Sequence, residues 1–337
     1  MHLPKISIIT TFYNSVRLGN FVEKSMACLL SQTYKYIEFI CVNDGSTDET
    51  LEQLKEYAQK DSRIILIDKK NEGVAQYAKA AGQEAATGDF IMLLDHDDKI
   101  SDDAIAQAVD VITSNPEIDA VSMLIKVYYS NGKERCLYQL NKEIPSLEDF
   151  EPAIITGAEA YGLTVGRYDF HFRGLIVKEK FKAISYRYPE KIVNGDEIVE
   201  RQIIKTLDKI TSCKGVYHHY IYENSSAKSY HLKKTDLVRT DIILRKQFKN
   251  DGVYDARKGI FELIAYKNLI TAIKVYHHFE KKISGTEKKF YLERLQEGFR
   301  KLERKTLLSQ FTGFAKLYHW TLTISFSAIY WFYKIKD

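Results

Sequence analysis

A chain of 337 residues with 45 % hydrophobic content can build a sizeable core, which excludes a largely disordered protein. Forty-nine Lys and Arg against 45 Asp and Glu leave a formal charge of only +4, too small for a protein whose main partner is bulk nucleic acid. The balance is uneven, since residues 228–337 hold 23 basic and 11 acidic side chains; the acidic remainder is expected to hold the chemistry and the basic tail to face something anionic.

In chain order, residues 5–12 form a short β-rich run, and 18–32 then carry Leu18, Phe21, Val22, Met26, Leu29 and Leu30 at helical spacing. A second strand over 37–42 ends in Asn43-Asp44-Gly45-Ser46-Thr47-Asp48, whose turn residues also cap a helix over 49–59. The unit repeats: 64–67 reads as a strand, 74–86 as an Ala-rich helix, and 89–94 as a buried strand stopping at Asp95-His96-Asp97-Asp98. A helix over 103–114 and a strand over 120–129 follow. Such alternation predicts a mostly parallel α/β sheet with helices on both faces. Ligands of such sheets sit beyond the carboxyl ends of the strands, where Asp44 and Asp95 to Asp98 fall. Residues 131–230 interleave aromatic and polar side chains and suit an acceptor site, and the chain after Lys233 reads as helical.

Cys28, Cys41, Cys136 and Cys213 are widely spaced, with no paired ligand motif, which fits a reducing cytoplasm. The first 13 residues lack the charged, apolar and small-residue succession of a signal peptide, so the expectation is a chain that stays inside the cell.

The carboxylate cluster at Asp95-His96-Asp97-Asp98 carries the strongest chemical signal. Alternate acidic residues at a strand end can offer two oxygen ligands to a hard divalent cation and leave positions for substrate phosphates. A solvated turn with a helix cap is the plainer reading, yet it needs only one acid, and three packed carboxylates repel one another unless a cation compensates. Asn43-Asp44-Gly45-Ser46 alone would be a capped turn.

Together with Ile6 to Asn14, Ser31-Gln32-Thr33-Tyr34, Asn71-Glu72-Gly73 and the run from Leu93 to Asp98, that turn resembles the family 2 glycosyltransferases, from Lys5 to about Ser122. The resemblance implies a GT-A fold, a Rossmann-like mostly parallel sheet followed by a helical C-terminal extension. It places a glycosyltransferase domain at 1–230, with a nucleotide-sugar-binding half at 1–125 and an acceptor half at 126–230, and a basic extension at 231–337. Thr11 and Tyr13 match the end of the first strand lining the nucleotide pocket, and Asp44 matches the acid that accepts from uracil. Asp95 and Asp97 match the pair that binds the ribose and the metal, Mn2+ or Mg2+, with Asp97 the direct ligand. Lys79 matches a basic position after the Asn-x-Gly turn if one extra residue is allowed.

The family's acceptor-activating acidic pair matches Asp196-Glu197, in reversed order, ahead of the apolar series Ile198, Val199, Ile203, Ile204 and Leu207. Asp196 is the preferred base and Glu197 the reserve, and a helix cap with a first-turn charge is the structural alternative. The run from Lys214 to Ser226 resembles the family's returning strand and loop beside the diphosphate, where His218 or His219 would join the metal shell. Arg173 and Lys228 are further phosphate-binding candidates.

Residues 311–333 are aromatic and apolar, interleaved with Thr, Ser and His319 and bracketed by Lys316, Lys334 and Lys336. That composition suits a helix at the headgroup boundary better than a span of about 20 apolar residues, and an ordinary helix packed on the domain is the alternative. Basic residues upstream point to an anionic membrane surface.

The combined expectation is a metal-dependent inverting glycosyltransferase, peripheral at the inner face of the cell membrane, moving a sugar from a UDP donor to a lipid-linked glycan of the lipopolysaccharide, O-antigen or capsule kind. Two competitors remain at this point. A phosphohydrolase resembling the haloacid dehalogenases also uses Asp-x-Asp after an apolar strand, and a membrane-bound scaffold could keep the fold without catalysis.

Overall fold

The computed structural model describes residues 3–132, 134, 137–140, 142–166, 172–188, 191–192, 194–222 and 231–336; Cys136, Lys228 and the rest of 223–230 lie outside them. The chain packs as two compact units, one of Met1–Tyr161, Asp169–Lys191 and Val199–Ser225, the other of Gly162–Tyr168, Ile192–Ile198 and Ser226–Asp337.

In the first unit, β1 (Ile6–Phe12) and β2 (Ile37–Asp44) are buried almost throughout, as strands covered on both faces must be. Between them the helix expected over 18–32 is divided into α1 (Ser15–Gly19) and α2 (Phe21–Leu30). The division falls at Asn20, whose left-handed φ of 52° breaks the helical path and suits an asparagine. Next come α3 (Thr50–Lys60), β3 (Ile64–Lys69), α4 (Ala75–Ala85), β4 (Phe90–Leu93), β5 (Lys99–Ile100), α5 (Ala104–Ser114) and β6 (Ala120–Tyr129). The interleaved region supplies β7 (Leu137–Gln139), β8 (Lys142–Ile144), α6 (Gly157–Leu163), β9 (Gly174–Val177), α7 (Lys178–Ala183), α8 (Gly195–Thr206) and β10 (Ile210–Ile221).

The sheet order is β3-β2-β1-β4-β9-β6-β10-β5, with β7 and β8 attached through β6. Neighbours β3, β2, β1 and β4 are parallel, as are β6 and β10, while β9 and β5 pair antiparallel. Side chains alternate across the pleat, so β1 serves two helix layers. Ile8 joins Met26 and Leu29 of α2 and Ile105 and Ala108 of α5 in one core. Its neighbour Ile9 meets α4 instead, where a Cβ on Gly82 would stand 2.3 Å from an Ile9 methyl, so only glycine allows that approach.

At the amino ends of β1, β2 and β4, the buried Glu38 carboxylate accepts from Ser7 Oγ (2.5 Å) and the Thr87 N–H (2.7 Å) and pairs with Lys5 (2.5 Å). Burial pushes this acid up, but the bonds from Lys5, Ser7 and Thr87 overcome it and hold it down at about 2.

The second unit is helical: α9 (Asp236–Asn250), α10 (Tyr254–Phe279), α11 (Gly285–Lys301), α12 (Arg304–Leu308), α13 (Gly313–Leu322) and α14 (Phe326–Lys336). Ser284 and Glu287 form a reciprocal capping box that starts α11. The interior of this unit is polar as well as apolar. Arg245 Nε donates to Glu262 Oε1 at 2.8 Å, Tyr254 donates to the same carboxylate at 2.6 Å, and Asn268 donates to the buried Asp241 at 3.0 Å. The stretch 311–333, expected as one helix, is two. α13 closes where the Thr323 N–H turns back to the His319 and Trp320 carbonyls, and α14 begins after Ser325. Among the described residues no helix is long and apolar enough to cross a membrane.

Candidate functional site at the carboxyl ends of the strands

The register of the parallel strands decides what meets at their carboxyl ends. Ile9 is level with Leu93 and Phe12 with Asn43, so Thr11, Asp44 and Asp95 all emerge from the same edge of three neighbouring strands. The loops there are tied together. Asn14, left-handed at φ 49°, donates its N–H to Ser46 Oγ (3.0 Å), and its side-chain oxygen accepts from the Thr47 N–H (2.8 Å). Gly45 has φ +67°, and a Cβ there would lie 2.6 Å from the Asn71 nitrogen, so the turn holding Asp44 requires glycine. Tyr13 stands in this loop, 45 % exposed.

Asp44 is buried and receives the Lys69 ammonium at 2.8 Å. Lys69 ends β3 and also pairs with Glu72 at 3.2 Å. Sequence reading did not assign Lys69; its only signal was its place at the end of a strand.

Within the acidic cluster the side chains divide by role. His96 Nδ1 lies 3.0 Å from the Thr11 carbonyl, which can only accept, so that nitrogen carries the proton. Asp98 is buried and accepts from Tyr217 Oη (2.7 Å), the Tyr220 N–H (2.9 Å) and His219 Nδ1 (2.9 Å). This bond to Asp98 raises His219 above the usual imidazole range, against burial, and in the neutral ring it leaves Nε2 as the nitrogen that can accept or coordinate. His218 alternates to the opposite face of β10, where Nδ1 meets Tyr128 Oη at 2.9 Å; burial and the charges of Lys126 and Lys99 lower it.

Asp95 and Asp97 are perturbed in opposite directions. Burial pushes Asp95 up, but Lys79, Arg173, His96 and His219 together hold it below the usual carboxylate range. Burial drives Asp97 up to about 6; His96 opposes this while Asp98 and Asp95 reinforce it. Lys79 is buried and stands 3.4 Å from Glu200, whose other oxygen is 3.8 Å from Arg173. Glu200 thus bridges the two cations that act on Asp95, a link that no spacing rule announces. Among the described residues no group of three or more His, Cys, Asp or Glu side chains is arranged to hold a metal ion.

Asp196 and Glu197 begin α8, in a stretch that packs with the second unit. Asp196 Oδ1 accepts from the Glu197 N–H at 3.1 Å, and Glu197 Oε1 accepts from the Asn194 side-chain amide at 3.0 Å; both acids stand in the first turn of the helix, where negative charge is favoured.

Residues 7–171 match the family model described as Glycosyl transferase family 2. The chain is 37 % identical over 101 residues to Glycosyltransferase GlyA of Streptococcus pneumoniae serotype 4, covering 30 % of this chain and 14 % of that protein. A longer match, 24 % identical over 295 residues, joins it to a chondroitin synthase of Pasteurella multocida, covering 81 % of this chain and 28 % of that one. The chain therefore spans well under two thirds of these relatives. Among solved structures, that of S. aureus TarS 1-349 in complex with UDP-GlcNAc superposes with a TM-score of 0.60 at 18 % identity, covering 90 % of this chain and 82 % of the other, a likeness of fold.

Proposed function

As the chain carries a family 2 glycosyltransferase domain of GT-A type, we propose that it transfers a sugar from a UDP donor to a hydroxyl of a glycan acceptor, with inversion at the anomeric carbon. The observation that carries this reading is the convergence of Thr11, Asp44 and the Asp95–Asp98 cluster at one edge of three parallel strands. Thr11 and Tyr13 line the nucleotide, Asp44 accepts from the uracil N–H, and Asp95 holds the ribose. The TarS structure with UDP-GlcNAc supports a uridine donor, and the chondroitin synthase supports a polysaccharide product.

The donor set suits a hard divalent cation, Mn2+ or Mg2+. Asp97, pushed up to about 6 beside Asp95 and Asp98, is a carboxylate that a cation would relieve, and two acidic ligands leave room for diphosphate oxygens and water. Asp97 and Asp95 would hold the ion, and of the two histidines His219, bonded to Asp98 within the acidic cluster, is the candidate to join them, since His218 faces the other side of β10. Bound there, the ion would neutralise the leaving diphosphate. Lys79, whose charge already acts on Asp95, adds positive charge to the same region. Asp196 takes the acceptor proton, with Glu197 in reserve.

The acceptor in this reading is lipid-linked, and the protein works peripherally at the inner face of an anionic membrane in cell-surface polysaccharide assembly. The basic balance of residues 228–337 supports this. The test is calorimetric binding of UDP with Mn2+ and with chelator, followed by a UDP-sugar panel read by mass spectrometry on a lipid-linked acceptor. Asp97→Asn is expected to stay folded and to lose turnover by a factor on the order of 10³, the scale of several kcal/mol of charge stabilisation. Equal UDP affinity in Mn2+ and chelator would overturn the metal role.

A further inference from the structure

Of the 14 large apolar side chains exposed among the described residues, six fall between residues 314 and 335: Phe314, Leu317, Trp320, Ile324, Trp331 and Ile335. Phe314 and Ile335 are 83 % and 84 % exposed. These residues are not on a loose end. The opposite side of the α13–α14 hairpin is seated on its own unit through the buried Leu322, Ile329, Tyr330 and Tyr333. His277 Nε2 meets the Tyr330 carbonyl at 3.1 Å, and the His319 ring stacks on Phe311 with centroids 4.0 Å apart. One face is fixed by packing, so the other is held outward.

Charge identifies what covers that face. Residues 304–336 contain Arg304, Lys305, Lys316, Lys334 and Lys336 and no Asp or Glu. Arg304, Lys305 and Lys316 are exposed, and α12, which carries the first two, packs against α13. A second copy of this face would set cation against cation, whereas lipid phosphates offset the charge. Helices of 10 and 11 residues are about 15 Å long, half of a hydrocarbon core of about 30 Å, so they fit along a headgroup layer and not across it. Trp320 and Trp331, one on each helix, are the residue type that such a layer favours.

We infer that the α13–α14 hairpin is the lipid-facing element of this protein, its aromatic and aliphatic side chains entering the acyl boundary of an anionic bilayer while Arg304, Lys305 and Lys316 meet the phosphates. The inference deepens the membrane part of the reading above and rests on it for the presence of a bilayer, not on the sugar chemistry.

The chain has two tryptophans, both in this hairpin, so the tryptophan emission of this 337-residue chain reports on it alone. Phosphatidylcholine vesicles containing phosphatidylglycerol are expected to shift that emission to the blue, brominated acyl chains to quench it, and vesicles lacking phosphatidylglycerol to do neither. The double variant Phe314→Ser, Leu317→Ser keeps both tryptophans and should weaken vesicle binding by about tenfold or more at an unchanged melting temperature. A triple variant, Arg304→Glu, Lys305→Glu, Lys316→Glu, should abolish the preference for phosphatidylglycerol. Flotation of the wild type with unchanged tryptophan emission would overturn the hairpin's role and leave the membrane reading standing. A blue shift that grows with protein concentration in the absence of vesicles would also overturn it, by naming a second copy as the occupant. An emission shift on anionic vesicles in a chain that releases UDP from no donor would support the hairpin and remove the transferase reading.

Discussion

Glu38 in the sheet unit and Asp241 in the helical unit are both buried carboxylates, yet their surroundings pull them in opposite directions. Around Glu38, Lys5, Ser7 and Thr87 overcome burial and hold the acid at about 2. Around Asp241, burial prevails and lifts it to about 7, with Asn268 and Arg245 opposing and Glu197 and Glu262 adding to the rise. The difference lies in the donors: Glu38 receives the Lys5 ammonium and the Ser7 hydroxyl and then the Thr87 N–H, whereas Asp241 receives the Asn268 amide. Strand ends and loops leave N–H groups for a carboxylate to accept, as Thr87 does for Glu38 and Tyr220 for Asp98, whereas a helix interior consumes its own N–H groups. A sheet edge can therefore add backbone donors to those of side chains, and a helical bundle offers them at a helix end, as where the Glu303 N–H reaches Glu262.

The largest expected effect would blur that division of labour. Asp196, the proposed base, lies in a stretch grouped with the helical unit. Asp196→Asn is expected to lower transfer by about 10²–10⁴-fold with UDP binding kept, and Glu197→Gln to retain much more activity. The reverse ranking in single-turnover assays would make Glu197 the base.

Stability against pH sharpens the contrast itself. Glu38 sits below its unfolded value, so its contribution is complete above about 4.5 and disappears as pH falls toward 2. Glu38→Gln should cost about 2–3 kcal/mol at neutral pH in urea unfolding and much less near pH 2.5. At the opposite edge of the sheet, Asp44→Ala is expected to weaken UDP binding by about 1–3 kcal/mol, since the uracil N–H loses its acceptor. Equal binding of guanosine diphosphate by the wild type would break that assignment. Asp241 sits above its unfolded value, so its contribution is complete below about 3.8 and is lost as pH rises through about 7. The stability of Asp241→Asn relative to the wild type should therefore climb by about 1–2 kcal/mol between pH 5 and pH 8, the opposite slope to that of Glu38.

The repeating half was legible because periodicity and turn chemistry agreed there, and the strand expected over 120–129 is observed as Ala120–Tyr129. Strands of two to four residues, such as β5, β7, β8 and β9, have too few alternations to register as a pattern. The break between α1 and α2 had a written signal in Gly19-Asn20, overridden by the apolar spacing on either side. At the site, the motifs named Thr11, Asp44, Asp95 and Asp97, which share one edge of the sheet, and Lys79, whose charge lowers Asp95. Partners that arrive from distant segments were invisible: Lys69 for Asp44, Glu200 for Lys79, Tyr217 and His219 for Asp98.

The last of these separations has a consequence for synthesis. Tyr217, His219 and Tyr220 lie 119 to 122 residues beyond Asp98 in the chain. At about 5–20 residues per second, a ribosome needs on the order of ten seconds to deliver them after Asp98 has been made. During that interval the first four parallel strands can already pair, because β1 to β4 are contiguous in order of synthesis. Strand β6, however, has an open edge until β10 arrives to lie parallel beside it. Until then Asp98 lacks the partners that β10 brings, so the acidic cluster is completed only once the last strand of the sheet has been made.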